Sequence, residues 1–133
     1  MSKVARFSVS VDPELLQEFD ELTEKMNVNR SSAVETAMRD FIADHRWTSG
    51  EGRIAGAITL LYDHHVRGLS EALTELQHRH IDAVTSVVHV HLEHHSCLEI
   101  LAVSGESSDV KALYTELEAV RGIQQIKFSA MEL

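Results

Sequence analysis

The segment Val88-His89-Val90-His91-Leu92, followed closely by His94-His95-Ser96-Cys97-Leu98-Glu99-Ile100, gathers imidazole and thiol groups as no other part of this chain does. Nine histidines are present, and eight of them fall between His64 and His95. Imidazole is the commonest transition-metal ligand and titrates near neutral pH, so such clustering points to a metal or to protons. Cys97 is the only cysteine, which excludes an internal disulfide and leaves a free thiol that needs a reason. In a strand, residues two apart share a face. His89 and His91 are therefore expected to project together, with Val88, Val90 and Leu92 turned to the core. On the following strand Leu98 and Ile100 are expected at the core, which sends Cys97 and Glu99 to the opposite face. A turn near residues 94–96 brings Cys97 back alongside the two imidazoles.

Three such ligands leave a four-coordinate ion incomplete. The next donors along the chain are His78 and His80, at the end of a helical stretch. A helix packed on the core face of its own sheet cannot easily reach the outward face, so a fourth ligand is expected from a neighbouring subunit. Three imidazoles and a thiolate suit square-planar Ni(II) or Cu(II), whereas sulfur-rich tetrahedral sets favour zinc. Glu99 and Tyr62 are candidates for orienting the ligand imidazoles through hydrogen bonds. His64, His65, His94 and His95 read as solvated residues or weak secondary metal sites, and His45 as an exposed helix residue.

The elements that must position these groups follow from hydrophobic spacing. Residues 54–62 form an apolar, β-rich run, and residues 66–81 carry Leu69, Leu73 and Leu76 at helical spacing. Residues 84–92 and 98–103 read as strands, residues 109–120 as a helix with Leu113 and Leu117, and residues 123–128 as a last strand. The order is βαββαβ, a ferredoxin-like arrangement. Ahead of it, residues 5–11 alternate as one short strand. Asp12-Pro13-Glu14 then gives an N-cap, a first-turn proline and a first-turn acid, opening a helix to about Asn27. Asn29-Arg30-Ser31-Ser32 is a second cap signal, opening a helix to about Trp47. One strand and two helices in under 50 residues cannot build a monomer core, so a second copy is expected to supply the strand's partner. The division expected is 1–48, a linker at 49–53 and 54–133.

Arg6, Ser8 and Ser10 occupy the polar face of the first strand. A two-stranded ribbon fits the major groove of DNA, where arginine can bond guanine with both prongs and short hydroxyls accept several base edges. Asn29, Arg30 and Ser31 open the second helix, and a helix N-terminus is a ready phosphate site; Arg67 is a further phosphate candidate. The formal net charge of −9 excludes a generally basic nucleic-acid binder, so contact with DNA must come from a local patch. No apolar run reaches membrane-spanning length and the N-terminus lacks a signal-peptide core, so a cytoplasmic protein without membrane partners is expected.

The strand with alternating polar residues, Asp12-Pro13-Glu14 and Asn29-Arg30-Ser31 together resemble a ribbon-helix-helix DNA-binding domain. His89-x-His91, five intervening residues and Cys97-Leu98-Glu99, preceded by Gln77-His78-x-His80, resemble the nickel-responsive transcriptional regulator family. Both halves match in order over nearly the whole chain. The resemblance implies an α+β protein: a dimeric ribbon-helix-helix domain joined to an ACT-like βαββαβ domain. It implies Ni(II) held in a square plane by His89, His91 and Cys97 of one subunit and His78 of another. It also implies a homotetramer built as a dimer of dimers, operator DNA as partner, repression of nickel-uptake genes and no enzymatic activity. Ser32 and Thr36 stand where the family carries acidic residues for an interdomain cation, and Glu35 is off register. The alternative reading is a ribbon-helix-helix regulator whose ACT-like domain senses an amino acid or only oligomerises.

Overall fold

A computed structural model describes residues 3–49 and 51–133. The chain divides into two compact units, one ending at Asp40 and the other spanning Phe41–Leu133.

In the first unit both cap signals act as written. The Asp12 side chain accepts the N–H of Glu14 at 2.8 Å, and Pro13 opens helix α1, Pro13–Lys25. Asn27 adopts a left-handed φ of 58°, which ends the helical path. Asn29 Oδ1 then accepts the N–H of Ser32 at 2.8 Å, at the head of helix α2, Arg30–Arg46. Leu16, Phe19, Ala33 and Val34 are half-buried. Thr23 is the only fully buried residue among those described here, while Phe7, Val9, Leu15, Leu22 and Met26 are all exposed. Residues 5–11, expected as a strand, join no ladder among the described residues of a single chain.

The second unit takes the expected order. Strand β1 (Arg53–Asp63) is followed by helix α3 (Leu69–Arg79), strands β2 (Val84–His91) and β3 (Ser96–Glu106), helix α4 (Ser107–Glu118) and strand β4 (Ile123–Glu132). The sheet order is β2-β3-β1-β4 with every neighbouring pair antiparallel. One face is covered by helices. Ile54, Ile58 and Leu60 of β1 and Leu101 and Val103 of β3 meet Leu69, Leu73, Leu76, Val110, Leu113 and Leu117 there. Gly56 sits where β1 crosses β4, and a Cβ at that position would collide with the Ser129 carbonyl.

The segment leading up to the expected linker at 49–53 is packed down. A short 3-10 turn, Trp47–Ser49, closes onto the helical layer. The Trp47 indole is buried edge-on against Phe128 and Tyr114, with ring centroids 4.8 and 5.6 Å away. Ser107 Oγ donates to the Trp47 carbonyl, and Lys111 Nζ donates to the Thr48 carbonyl at 3.1 Å.

One expectation about the sheet is reversed. Val88, Val90 and Leu92 are exposed, whereas Cys97 and Glu99 are only 2% and 1% exposed. Cys97, Glu99, Leu101 and Val103 form one alternating set, and the aliphatic members of that set lie under the helices. The ligand-bearing face is thus the helix-covered face, not the outward one. His89 and His91 share it because they pair directly with Glu99 and Cys97 across β2 and β3. Helix α3 therefore lies on the same side as the histidines, which removes the steric reason for excluding it from their surroundings.

Candidate metal centre

The register brings the chemistry together. His91 pairs with Cys97 across one ladder and Tyr62 pairs with Cys97 across the other, so one row of the sheet carries an imidazole, a thiol and a phenol. Just beyond β1, the His64 N–H donates to the His95 carbonyl at 3.4 Å and holds the next loop against the β2–β3 turn. A cleft of about 260 Å³ opens there, bounded by Tyr62, His64, Leu73, Thr74, His89, His91, Cys97 and Glu99.

Within it, Cys97 Sγ lies 3.4 Å from His64 Nδ1 and 3.5 Å from His91 Nδ1. Ligand atoms of His64, His91 and Cys97 all fall within 4.8 Å of one another. His89 lines the same cleft but turns to the buried carboxyl group, with Nε2 3.4 Å from Glu99 Oε1. Burial first, and then the nearby Glu99 and Asp63 carboxyl groups, push the Cys97 thiol above its usual pKa.

Glu99 is the hub. Its Oε2 accepts the Tyr62 hydroxyl at 2.8 Å and its Oε1 accepts the Gln77 amide at 2.8 Å. A buried carboxyl group without partners is costly, and this one is satisfied from two directions. Burial, followed by the hydrogen bond to Glu99, holds the Tyr62 phenol well above its ordinary pKa, so it remains a donor. Glu99 and Tyr62, proposed from sequence as orienting groups, are thus linked to each other and adjoin His89. Gln77 belongs to the same network and was missed. A residue preceding His78 on the sheet-facing side of α3 was the available signal.

His78 lies elsewhere. It is exposed on α3, in a shallow, open depression with Ser70, Glu71, Thr74 and Glu75. His80 turns back to α4, where its Nε2 is 2.9 Å from Glu116 Oε2. Of the two histidines left open by spacing, the one engaged inside the fold is therefore His80. His64 was not expected among the cleft residues; the antiparallel pairing of Asp63 with Ser96 carries it there.

In the N-terminal unit, Arg6, Ser8 and Ser10 are exposed. Arg30 is engaged with Asp20 through Nε–Oδ1 at 3.0 Å and Nη2–Oδ2 at 2.6 Å. Asn29 spends its side chain on the cap, while Ser31 and Arg67 are exposed. Glu35 pairs with Arg39 at 2.7 Å along α2. No helix among the described residues is long and apolar enough to cross a membrane.

Imidazole nitrogens and a thiol converging on one cleft fit a late first-row divalent ion. The fold and this donor set define a transition-metal-binding βαββαβ domain that follows a short helical unit with no buried apolar side chain among its described residues. Residues 55–131 match the family described as NikR C terminal nickel binding domain, and residues 5–44 match the ribbon-helix-helix proteins of the copG family. A relative in Geobacter sulfurreducens, provisionally named a nickel-responsive regulator, is 44% identical over 96% of this chain and 92% of its own. Relatives with the same provisional name occur in Dictyoglomus thermophilum, 38% identical over 100% of this chain and 99% of theirs, and in Methanocaldococcus jannaschii, 39% identical over 98% and 94%. An uncharacterised protein from Thermotoga maritima shares the fold alone, with a TM-score of 0.50, 13% identity and coverage of 61% of this chain and 98% of that one. The chain belongs to the nickel-responsive regulator family, whose members join a ribbon-helix-helix DNA-binding domain to a nickel-binding domain and are regulators, not enzymes.

Proposed function

We propose that the protein is a cytoplasmic, nickel-dependent repressor of nickel-uptake genes, with Ni(II) as corepressor. The observation that carries this reading is the convergence of His89, His91 and Cys97 on one cleft of a nickel-binding domain. In the proposed site those three residues hold the ion from one subunit, and His78 of a second copy completes the set. The exposure of His78 on α3, outside its own subunit's cleft, supports donation between copies. Glu99 and Tyr62 fix the tilt of the His89 ring, and Gln77 ties the base of the His78 helix to the same carboxyl group.

Bound nickel supplies fixed bond directions linking two subunits. On the protein's side, the effect of ligand capture is to order α3 and the β1–α3 loop. The oligomer proposed is a homotetramer, a dimer of dimers. Its N-terminal dimers are supported by the exposed Phe7, Val9, Leu15 and Leu22, which must be buried by something. Its central packing is supported by the helix-free sheet face, where Val88, Val90, Leu92 and Met131 are exposed. In this division residues 1–48 read DNA, 49–53 connect and 54–133 bind metal. Arg6, Ser8 and Ser10 contact bases, while Asn29, Ser31 and Arg67 approach phosphates. Arg30 joins them once it exchanges Asp20 for a phosphate oxygen.

Metal and operator are then coupled ligands, each tightening the other by the same factor. The test is operator affinity with and without stoichiometric Ni(II), for the native chain and Cys97→Ala. A nickel-dependent gain present only in the native chain is expected. Equal affinity in both metal conditions would sink the reading.

A further inference from the structure

Helix α4 is held at both ends by contacts that the proposed nickel site does not use. Near its C-terminal end, Glu116 Oε2 lies 2.9 Å from His80 Nε2 and accepts the Arg79 guanidinium at 3.4 Å. One carboxyl group thereby grips the last residue of α3 and the residue that follows it. The same stretch of α3 reaches the cleft: Gln77 donates to the buried Glu99 at 2.8 Å, and Leu73 and Thr74 line the cavity.

At its N-terminal end α4 holds the connector that follows α2. The Ser107 N–H donates to the Gly52 carbonyl at 2.8 Å, and its hydroxyl donates to the Trp47 carbonyl. One turn further on, Lys111 Nζ donates to the Thr48 carbonyl at 3.1 Å. Tyr114 then meets the buried Trp47 indole edge-on. The connector thus places three carbonyls and an indole on the first two turns of a single helix. From Ser107 to Glu116 that helix rises about 14 Å, enough to join the cleft side of the domain to the connector.

Strand β1 also runs between these places, from Arg53 beside the connector to Tyr62 in the cleft, but it is paired at its positions with β3 on one side and β4 on the other. Shifting it breaks two ladders. The contacts of α4 with α3 and with the connector are mostly side-chain contacts, which re-form after a displacement of an ångström or so, the usual movement of packed helices in switching proteins. The chain also enters α4 past Gly105, whose φ of 147° favours glycine and marks a place where the helix can pivot on β3.

We propose that α4 is the strut through which nickel in the cleft sets the connector behind α2, with Glu116 and Lys111 as positioning residues at its two ends. This inference rests on the nickel-dependent operator binding proposed above. Ligand capture orders α3, Glu116 follows the end of α3, and α4 carries Ser107, Lys111 and Tyr114 with it, together with the connector they hold. Neither Glu116 nor Lys111 touches the metal or DNA in this scheme. Their side chains are exposed, so replacing them leaves the core intact.

The experiment measures operator affinity of the full-length chain without metal and at saturating Ni(II); the ratio is the nickel-dependent gain. Glu116→Gln and Lys111→Met each release one end of α4, and Glu118→Gln removes a neighbouring exposed charge of the same helix as a control. The gain is expected to fall by about 2- to 30-fold in each of the first two variants and to stay native in the control. Metal-free operator affinity, the thiolate-to-metal charge-transfer band and the far-ultraviolet circular dichroism spectrum should be unchanged in all three. The double variant should lose no more than the worse single variant, because a strut released at one end transmits nothing further when released at the other. Losses that add across the two ends would overturn the strut. So would a native gain in either single variant, an equal loss in Glu118→Gln, or disappearance of the charge-transfer band from Glu116→Gln. A native chain without any nickel-dependent gain removes the functional reading and the strut together, whereas failure confined to the variants removes the strut alone.

Discussion

Tyr62, Gln77 and His89 all converge on one buried carboxyl group, and the first two donate to it at hydrogen-bond distance. Replacing Tyr62 with Phe removes a donor while preserving the ring, leaving a Glu99 oxygen short of a partner. Such a change should cost about 1–3 kcal/mol of stability, measured by denaturant unfolding. Nickel affinity should also fall about 10–100-fold, because the His89 ring loses part of its bracing. A Tyr62→Phe chain with native stability and native affinity would remove Glu99 from the account. The Asp20 carboxyl group is likewise set by a neighbour: its hydrogen bond with Arg30 holds it below the usual carboxylate range. A depressed folded-state pKa contributes stability above the unfolded value, and that contribution is lost as pH falls through the folded one. The helicity difference between the native chain and Asp20→Asn should therefore be full above about pH 4 and vanish under more acid conditions. Circular dichroism against pH measures it directly.

Two positions govern how the elements of the metal-binding unit meet. Gly56 allows β1 to approach β4, and Gly56→Ala should force these strands apart, with a loss of about 1–3 kcal/mol in thermal or denaturant unfolding. Trp47 fastens the end of α2 and the following turn to α4 and β4. Trp47→Ala should cost about 3–5 kcal/mol, since a large side chain that is 6% exposed leaves a cavity behind. Trp47 is the only tryptophan, so its fluorescence follows this docking in the native chain. A red shift preceding global unfolding would indicate that the turn releases independently of the sheet.

The whole molecule is unequal in its self-sufficiency. The unit from Phe41 onward has a continuous core, whereas the unit ending at Asp40 leaves most of its apolar side chains in water. The proposed assembly would bury them, and the stability of such an assembly is inseparable from chain concentration. Replacing the exposed Val9 with Lys should weaken association of the N-terminal units and abolish operator binding, while nickel titration of the C-terminal unit stays unchanged. Sedimentation across a concentration series tests the first part and spectroscopy the second.

What the sequence by itself determined here is local and periodic. The Asp12 and Asn29 caps are short-range hydrogen bonds, and the βαββαβ order follows from apolar spacing. Strand alternation with a two-residue period placed His89, His91, Cys97 and Glu99 on one shared face. Which face that was, only the tertiary structure decided. Val88, Val90, Leu98 and Ile100 offered an apolar set as convincing as the true one. The opposing set became recognisable only when Leu101 and Val103 of the same strand were seen beneath the helices. Neither His64 nor Gln77 could be assigned to the cleft from spacing. His64 arrives through antiparallel register and Gln77 through helix packing, and both bring together residues far apart along the chain.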